Sequence, residues 1–152
     1  MEVVCRNFFN ESKSIDLISN NKKDVLYEIV KKTSKINESI KDTIVKELLE
    51  REGVGSTIIA DRIALAHIES SLVSDLILSY GYLKNEILNW DLDEEYGIAK
   101  VIILLIFPKD LDKRNYIENV KVITKILSDE NLTCNIIRVK NASEIKEIFI
   151  NR

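Results

Sequence analysis

The sequence predicts an α/β fold: a single domain, residues 1–152, with one mixed β-sheet flanked by helices on both faces. Segments with apolar residues at helical spacing lie towards both ends of the chain, and runs of β-branched and apolar residues lie between them. Helices and sheets each bury an apolar face, so such a chain folds by packing helices on a sheet. Two helices come first and the strands follow without regular alternation, which favours a mixed sheet.

Length and composition fit one soluble domain. The 152 residues include one proline and four glycines, with no repeat or low-complexity linker. The 22 basic and 25 acidic side chains form no basic stripe, so we expect no direct nucleic-acid partner. The longest apolar run, residues 101–108, is too short to cross a bilayer, and no signal peptide is evident. Cys5 and Cys134 match no metal or redox spacing, and we predict a reduced, cytoplasmic protein without membrane insertion.

Two helices are predicted in the first third of the chain. Asn21, with the asparagine before it, offers capping chemistry to residues 22–32, whose apolar side chains form one stripe. A second helix begins at Asn37 or Ser39, and Gly53 is well placed to end it.

Two further helices are predicted in the last third. Residues 112–128 carry apolar side chains at helical spacing, and Ser143 is predicted to cap a final helix. The sequence leaves residues 132–139 undecided.

Strands are predicted in the middle of the chain. Residues 57–68 predict one strand, residues 72–82 fit either a strand or a helix, and residues 87–90 predict a short strand. Residues 101–107 are continuously apolar and precede Pro108, as expected of a fully buried central strand.

His67 is the only histidine and the first candidate for chemistry. Neutral imidazole is a nucleophile near pH 7, but an apolar setting also suits a buried core histidine. Arg51 fits either a surface arginine favoured at a helix C-terminus or a fork aimed at phosphoryl oxygens. Ser56 and Thr57 can donate hydroxyl hydrogen bonds to a phosphate, and they are also common turn formers.

Other common chemistries lack support in the sequence. It contains neither a GxSxG elbow nor the GxGxxG and GxxxxGK[ST] nucleotide motifs. A single histidine cannot form an all-histidine metal site, and Asp61, Glu69 and Asp75 are expected to be solvated. Trp90 is expected in the core or at its rim. Covalent catalysis by the histidine remains, with no cofactor and no metal.

Residues 49–67 resemble the signature of the fructose/mannitol-type EIIA domain of the bacterial sugar phosphotransferase system. An Arg-Glu pair at positions 51 and 52 precedes a Gly-x-Thr turn at 55–57, and the segment 63–67 ends in His67, in the family's order and without gaps.

The likeness covers nearly the whole chain. Residues 8–11 resemble the family's opening, residues 22–26 the start of its first helix, and residues 87–90 a later I-x-W segment. The run 101–108 falls where the family has a central strand.

The resemblance implies a phosphohistidine carrier. His67 would accept a phosphoryl group from HPr and pass it to an EIIB domain during sugar uptake, in association with a membrane EIIC complex. Arg51 matches the family arginine beside the phosphohistidine. Thr57 matches the threonine of the turn and would hydrogen-bond the phosphate. An apolar patch made of Leu65, Ile68 and one of the two isoleucines after Thr57 would then meet the partners.

Three positions depart from the family pattern. Ala66 stands where the family usually has proline, Ile68 where it usually has glycine, and Tyr116 in place of a second histidine. These departures suit an alternative: an EIIA-like regulatory domain of a sugar-responsive transcription regulator, in which phosphorylation of His67 acts as a signal. A third alternative is a domain that only binds its partners.

Overall fold

One mixed sheet forms the centre of the structure. A computed structural model of the chain describes residues 8–91, 97–109 and 117–151. Its strands are β1 (Lys13–Leu17), β2 (Ile58–Ala60), β3 (Ile63–Ser70), β4 (Ile77–Ile87) and β5 (Ala99–Pro108). Its main helices are α1 (Lys22–Lys32), α2 (Lys41–Glu52), α3 (Ile117–Ser128), α4 (Glu130–Ile137) and α5 (Ala142–Ile150), and a short 3₁₀ helix spans Glu38–Ile40.

The strand order is β1-β4-β5-β3-β2. Strand β5 pairs parallel with β3 and antiparallel with β4, while β1 pairs parallel with β4 and β2 antiparallel with β3. The predicted mixed sheet is therefore confirmed. The continuous apolar run is confirmed as the central strand, because β5 lies in the middle of the sheet and is buried along nearly all its length.

Helices cover both faces of the sheet, as predicted. Helices α1 and α2 pack on one face, in a core that also contains Ala64, Ala66 and Ile68 of β3. Helices α3, α4 and α5 pack on the other, in a core that contains Ile63 with Leu65 packed against it. Successive side chains of a strand point to opposite faces, and β3 follows that rule.

The two N-terminal helices form as predicted. The Asn21 side chain caps α1 by accepting a 2.9 Å hydrogen bond from the backbone N–H of Asp24. Asn37 caps the 3₁₀ helix that leads into α2, and Gly53 follows the last residue of α2.

The C-terminal helices correct one prediction. Asn141, not Ser143, caps α5: its side-chain oxygen accepts the backbone N–H of Glu144, and the Ser143 hydroxyl donates to that same oxygen. The undecided residues 132–139 belong mostly to α4, which Asp129 caps. The predicted start of the helix over 112–128 lies outside the described residues, which resume at Ile117.

Two strand predictions are wrong. Residues 57–68 form a hairpin rather than one strand, because Asp61 and Arg62 make a turn in which Arg62 has φ = 62°. The ambiguous run 72–82 contributes to strand β4, which continues to Ile87. The short strand predicted for residues 87–90 does not form, because Ile87 is the last residue of β4 and residues 88–90 form a turn. Strand β1 was not predicted; it is five residues long, and only Ile15 and Leu17 are buried.

Gly81 of β4 allows β1 and α1 to pack closely. A Cβ atom there would lie 2.5 Å from Leu17 Cδ1 and 3.0 Å from Ile29 Cδ1, inside a fully buried core.

We expect Gly81→Ala to lower the free energy of unfolding by about 1–3 kcal/mol through overpacking, as measured by urea denaturation. Gly55→Ala is the control, because nothing lies within 4 Å of its Cβ position. Equal denaturation midpoints for the two variants would contradict this packing.

Candidate functional site

His67 lies on β3 at the edge of a cleft between the sheet and α3. It pairs with Leu105 of β5 and is half-buried. The strand alternation that places Leu65 in the α3–α5 layer places His67 on the same side. The cleft has a volume of about 420 Å³, and its lining also includes Ile59, Leu65, Leu105, Phe107, Val120, Ile123, Thr124, Leu127 and Ser128.

The surroundings of the imidazole distinguish its two nitrogens. Nδ1 lies 3.4 Å from the carbonyl oxygen of Leu65, a long hydrogen bond. A carbonyl oxygen only accepts, so this contact favours the tautomer with the proton on Nδ1. The Phe107 ring packs edge to face with the imidazole, at 6.5 Å between centroids and 88° between planes. Nε2 has no hydrogen-bond partner among the described residues and carries the free lone pair.

Arg51 lies in the last turn of α2, where the helix dipole favours a cation. Its Nη1 donates to the carbonyl oxygen of Gly55 at 3.4 Å. Within the described part of the chain, no carboxylate lies within ion-pair distance of the guanidinium. Most of its donors are therefore available to an anion.

A loop of residues 53–57 connects α2, which carries Arg51, to β2, which pairs with the His67 strand β3. The backbone N–H of Leu65 donates to the Thr57 carbonyl oxygen at 2.8 Å. The two segments run antiparallel. The residues before Thr57, towards Gly55, therefore extend in the same direction as the residues from Leu65 to His67. Thr57 of this loop is thus paired with the His67 strand, although no hydrogen bond joins Arg51 and His67 among the described residues.

Thr57 is tied into a buried polar network. Its side chain is nearly inaccessible, and its hydroxyl donates to the Glu52 carboxylate, 2.8 and 2.9 Å from the two oxygens. The same hydroxyl accepts the indole N–H of Trp90 at 3.2 Å, and Glu52 also binds Lys22 Nζ at 3.0 Å. Thr57 does not line the His67 cleft, and its direct contact with phosphate stays a prediction.

Sequence reasoning missed this network. The pair Glu52 and Thr57 flanks a glycine loop, which is a weak local signal. No sequence signal connects Trp90 to them. Trp90 was expected in the core or at its rim. It lies in the core and is 1% exposed.

A larger cleft of about 770 Å³ adjoins this network, because Glu52 and Trp90 line it, and it lies beside the start of α1. The loop residues 53–56, Lys22, Lys23 and Trp90 contribute to it, but His67 does not. The larger cleft therefore does not contain the candidate nucleophile. The His67 imidazole lines the smaller cleft.

The remaining candidates take structural positions. Asp61, Glu69 and Asp75 are exposed, as predicted. The Ser56 hydroxyl donates to the carboxylate of Asp91. In residues 8–91, 97–109 and 117–151, no three His, Cys, Asp or Glu side chains gather as metal ligands, and no helix there is long and apolar enough to cross a membrane.

The predicted apolar patch around His67 is correct in part. Leu65 and Ile59 line the cleft, but Ile68 is buried on the opposite face, in the α1–α2 core. Tyr116, at the position of the family's second histidine, lies outside the described residues.

Comparison with known families decides the class of protein. The family described as "Phosphoenolpyruvate-dependent sugar phosphotransferase system, EIIA 2" matches residues 7–152. The chain belongs to this family. It is an EIIA domain, and the EIIA domains of this system are phosphotransferases in general.

Solved structures share the fold of this EIIA domain at low sequence identity. Nitrogen regulatory protein IIA-Ntr from Neisseria meningitidis superposes with a TM-score of 0.69 at 19% identity, covering 90% of this chain and 92% of that one. IIA mannitol from Escherichia coli gives 0.65 at 17%, covering 90% and 95%. The E. coli complex of enzyme IIA mannitol with phosphorylated enzyme IIB mannitol gives 0.62 at 17%, covering 91% and 95%.

The tautomer of the single histidine can be tested directly in this EIIA domain. We expect ¹⁵N NMR at mildly alkaline pH to find the proton of neutral His67 on Nδ1, because that nitrogen faces the Leu65 carbonyl oxygen. The chain has one histidine, so the imidazole signals need no assignment by mutagenesis. A proton found mainly on Nε2 would contradict the orientation.

Proposed function

We propose that this EIIA domain is a phosphohistidine carrier: His67 accepts a phosphoryl group from HPr and passes it to an EIIB domain during sugar uptake. The observation that carries the proposal is the placement of the chain's only histidine. It borders an open cleft with Nε2 unpaired among the described residues, and the loop that follows Arg51 pairs with its strand through Thr57. Fructose and mannitol are the sugars that the motif suggests, although an EIIA domain need not touch the sugar.

The chemistry requires no cofactor. The Nε2 lone pair attacks phosphorus in line, so a new N–P bond forms as the bond from phosphorus to the donor atom of HPr breaks. The electron pair of the broken bond stays with that donor atom. His67 keeps its proton on Nδ1, and no base is needed to remove one. The loose transition state spreads charge over three equatorial oxygens, where a guanidinium is an effective stabiliser.

The surface beside His67 supports a transient protein partner. Ile59 of β2 is 43% exposed and lines the cleft together with Leu65 and Phe107. A small apolar patch of this kind suits docking by other proteins. HPr is the expected donor, and the E. coli IIA mannitol complex with phosphorylated IIB mannitol supports an EIIB acceptor. Both exchanges belong in the cytoplasm, next to a membrane EIIC component.

Phosphoenolpyruvate-dependent labelling tests the carrier. With enzyme I, HPr and labelled phosphoenolpyruvate, we expect about one acid-labile, base-stable phosphoryl group per chain, because there is one histidine. His67→Ala should abolish labelling. Arg51→Ala should slow it by about 100-fold, the usual loss when one transition-state donor is removed.

Arg138→Ala is the matched control for the arginine change. Arg138 is exposed at the end of α4 and lines neither cleft, so the labelling rate should not change. Absence of label from the wild-type domain with every HPr tried would reject the carrier function.

A regulatory role is the second candidate. Ala66 and Ile68 replace the usual proline and glycine beside the histidine, and the fold is similar to that of a nitrogen regulatory protein. In this role the chain would be a regulatory domain of a sugar-responsive transcription regulator, and phosphorylation of His67 would act as a signal by changing a protein contact. Phosphorylation occurs in both roles, and only the carrier must hand the group on.

Transfer out of His67 separates the two roles. For a carrier, we expect the isolated phosphorylated domain to lose its phosphoryl group rapidly to an EIIB domain of the mannitol or fructose type. The comparison is an EIIB variant that lacks its phosphoryl-accepting side chain, which should leave the label in place. A label that persists with every intact EIIB domain would favour the regulatory role.

A further inference from the structure

We infer that Thr57 and Glu52 are positioning residues for phosphoryl transfer, because their hydrogen bond fixes the loop between Arg51 and β2, the strand that pairs with the His67 strand. The inference rests on the proposed function. It gives Thr57 a role that needs no contact with the phosphate.

The two residues close the loop at its ends. Glu52 is the last residue of α2 and directly follows Arg51, while Thr57 directly precedes β2. The hydroxyl-to-carboxylate hydrogen bond spans the five-residue interval between them at 2.8 Å. The Thr57 carbonyl then accepts from Leu65 N–H at 2.8 Å, two residues before His67. Thr57 therefore contacts both the end of the arginine helix and the histidine strand.

Burial makes this connection stiff. The Glu52 side chain is 5% exposed and Thr57 is 2% exposed, so water competes little for their hydrogen bond. Lys22 balances the carboxylate charge at 3.0 Å, and the Trp90 indole N–H directs the hydroxyl proton towards Glu52 by occupying an acceptor site on Oγ1. Loss of the hydroxyl would leave the Trp90 donor without this acceptor and Glu52 with one donor fewer.

Arg51 depends on the loop for its placement. The one hydrogen bond of its guanidinium in the described part of the chain is the 3.4 Å contact with the Gly55 carbonyl oxygen, in the middle of that loop. A shift of the loop would move this carbonyl, and with it the guanidinium relative to Nε2 of His67. Misplacement of about 1 Å can reduce a transfer rate by as much as 100-fold.

Removing the Thr57 hydroxyl tests the inference. We expect Thr57→Val to reduce the labelling rate of the folded domain at least about tenfold, within the range that misplacement produces. Thr57→Ser keeps the hydroxyl and should retain most of the rate. Trp90 is the only tryptophan, and its emission should change in Thr57→Val and not in Thr57→Ser.

Thr33→Val is the matched control. The Thr33 hydroxyl is also buried and hydrogen-bonded, to the Ile29 carbonyl at 2.7 Å and the Ser79 hydroxyl at 2.9 Å, but it belongs to the end of α1. This variant should lose stability and keep the rate of its folded fraction. An equal rate loss in Thr33→Val and Thr57→Val would overturn the inference, since the effect would then be general destabilisation.

A double variant identifies the residue through which Thr57 acts. If Thr57 positions Arg51, adding Thr57→Val to Arg51→Ala should reduce the rate little further. Fully multiplicative losses, or a folded Thr57→Val domain at the wild-type rate, would overturn the inference. If Thr57→Val does not fold, a folded Glu52→Met domain, which has no acceptor oxygen for the Thr57 hydroxyl, would overturn the inference by keeping the wild-type rate. A wild-type domain that takes no label would instead overturn the proposed function itself.

Discussion

The parallel ladder between β3 and β5 determines to which face of the sheet the His67 side chain points. It runs in continuous register over eight residue pairs, from Ile63 with Val101 to Ser70 with Pro108. A slip of one residue would turn His67 into the α1–α2 core and move the alanines that now pack there to the α3–α5 face. The core around Ala64 and Ala66 disfavours this slip, because an imidazole in place of an alanine would overpack it. The position of His67 at the cleft depends on that register.

The second half of the site depends on how α2 meets the sheet. Its last residues connect to β3 only through the loop 53–57 and the short edge strand β2, which by itself offers few ladder hydrogen bonds. A buried network that includes Glu52 and Thr57 strengthens this weak point. Polar groups at such a position stabilise one geometry only when all of them are satisfied, and here charged and neutral partners satisfy the carboxylate and the hydroxyl.

The sequence predicted what local patterns determine. Strand β5 was predicted from a continuous apolar run, and α1 from Asn21 and its apolar stripe. The β2–β3 hairpin was missed because its turn, Asp61-Arg62, has no glycine where a positive φ occurs. His67, Arg51 and Thr57 were found as a spaced motif. The partner of Thr57 across 33 residues, Trp90, was not, because only tertiary folding brings that indole to the hydroxyl.

The Arg-Glu pair of the motif can be understood from helix geometry. Adjacent helical residues project about 100° apart, so Arg51 and Glu52 cannot serve the same group. Arg51 keeps its donors free of carboxylates in the described chain, whereas Glu52 is buried against Lys22 and Thr57. The Thr57 hydroxyl has one proton, which it cannot give to Glu52 and a phosphoryl oxygen at once. A phosphoryl group close enough to take it would also face the Glu52 charge. This arrangement favours Arg51 as the direct phosphate ligand and Thr57 as the residue that holds its loop.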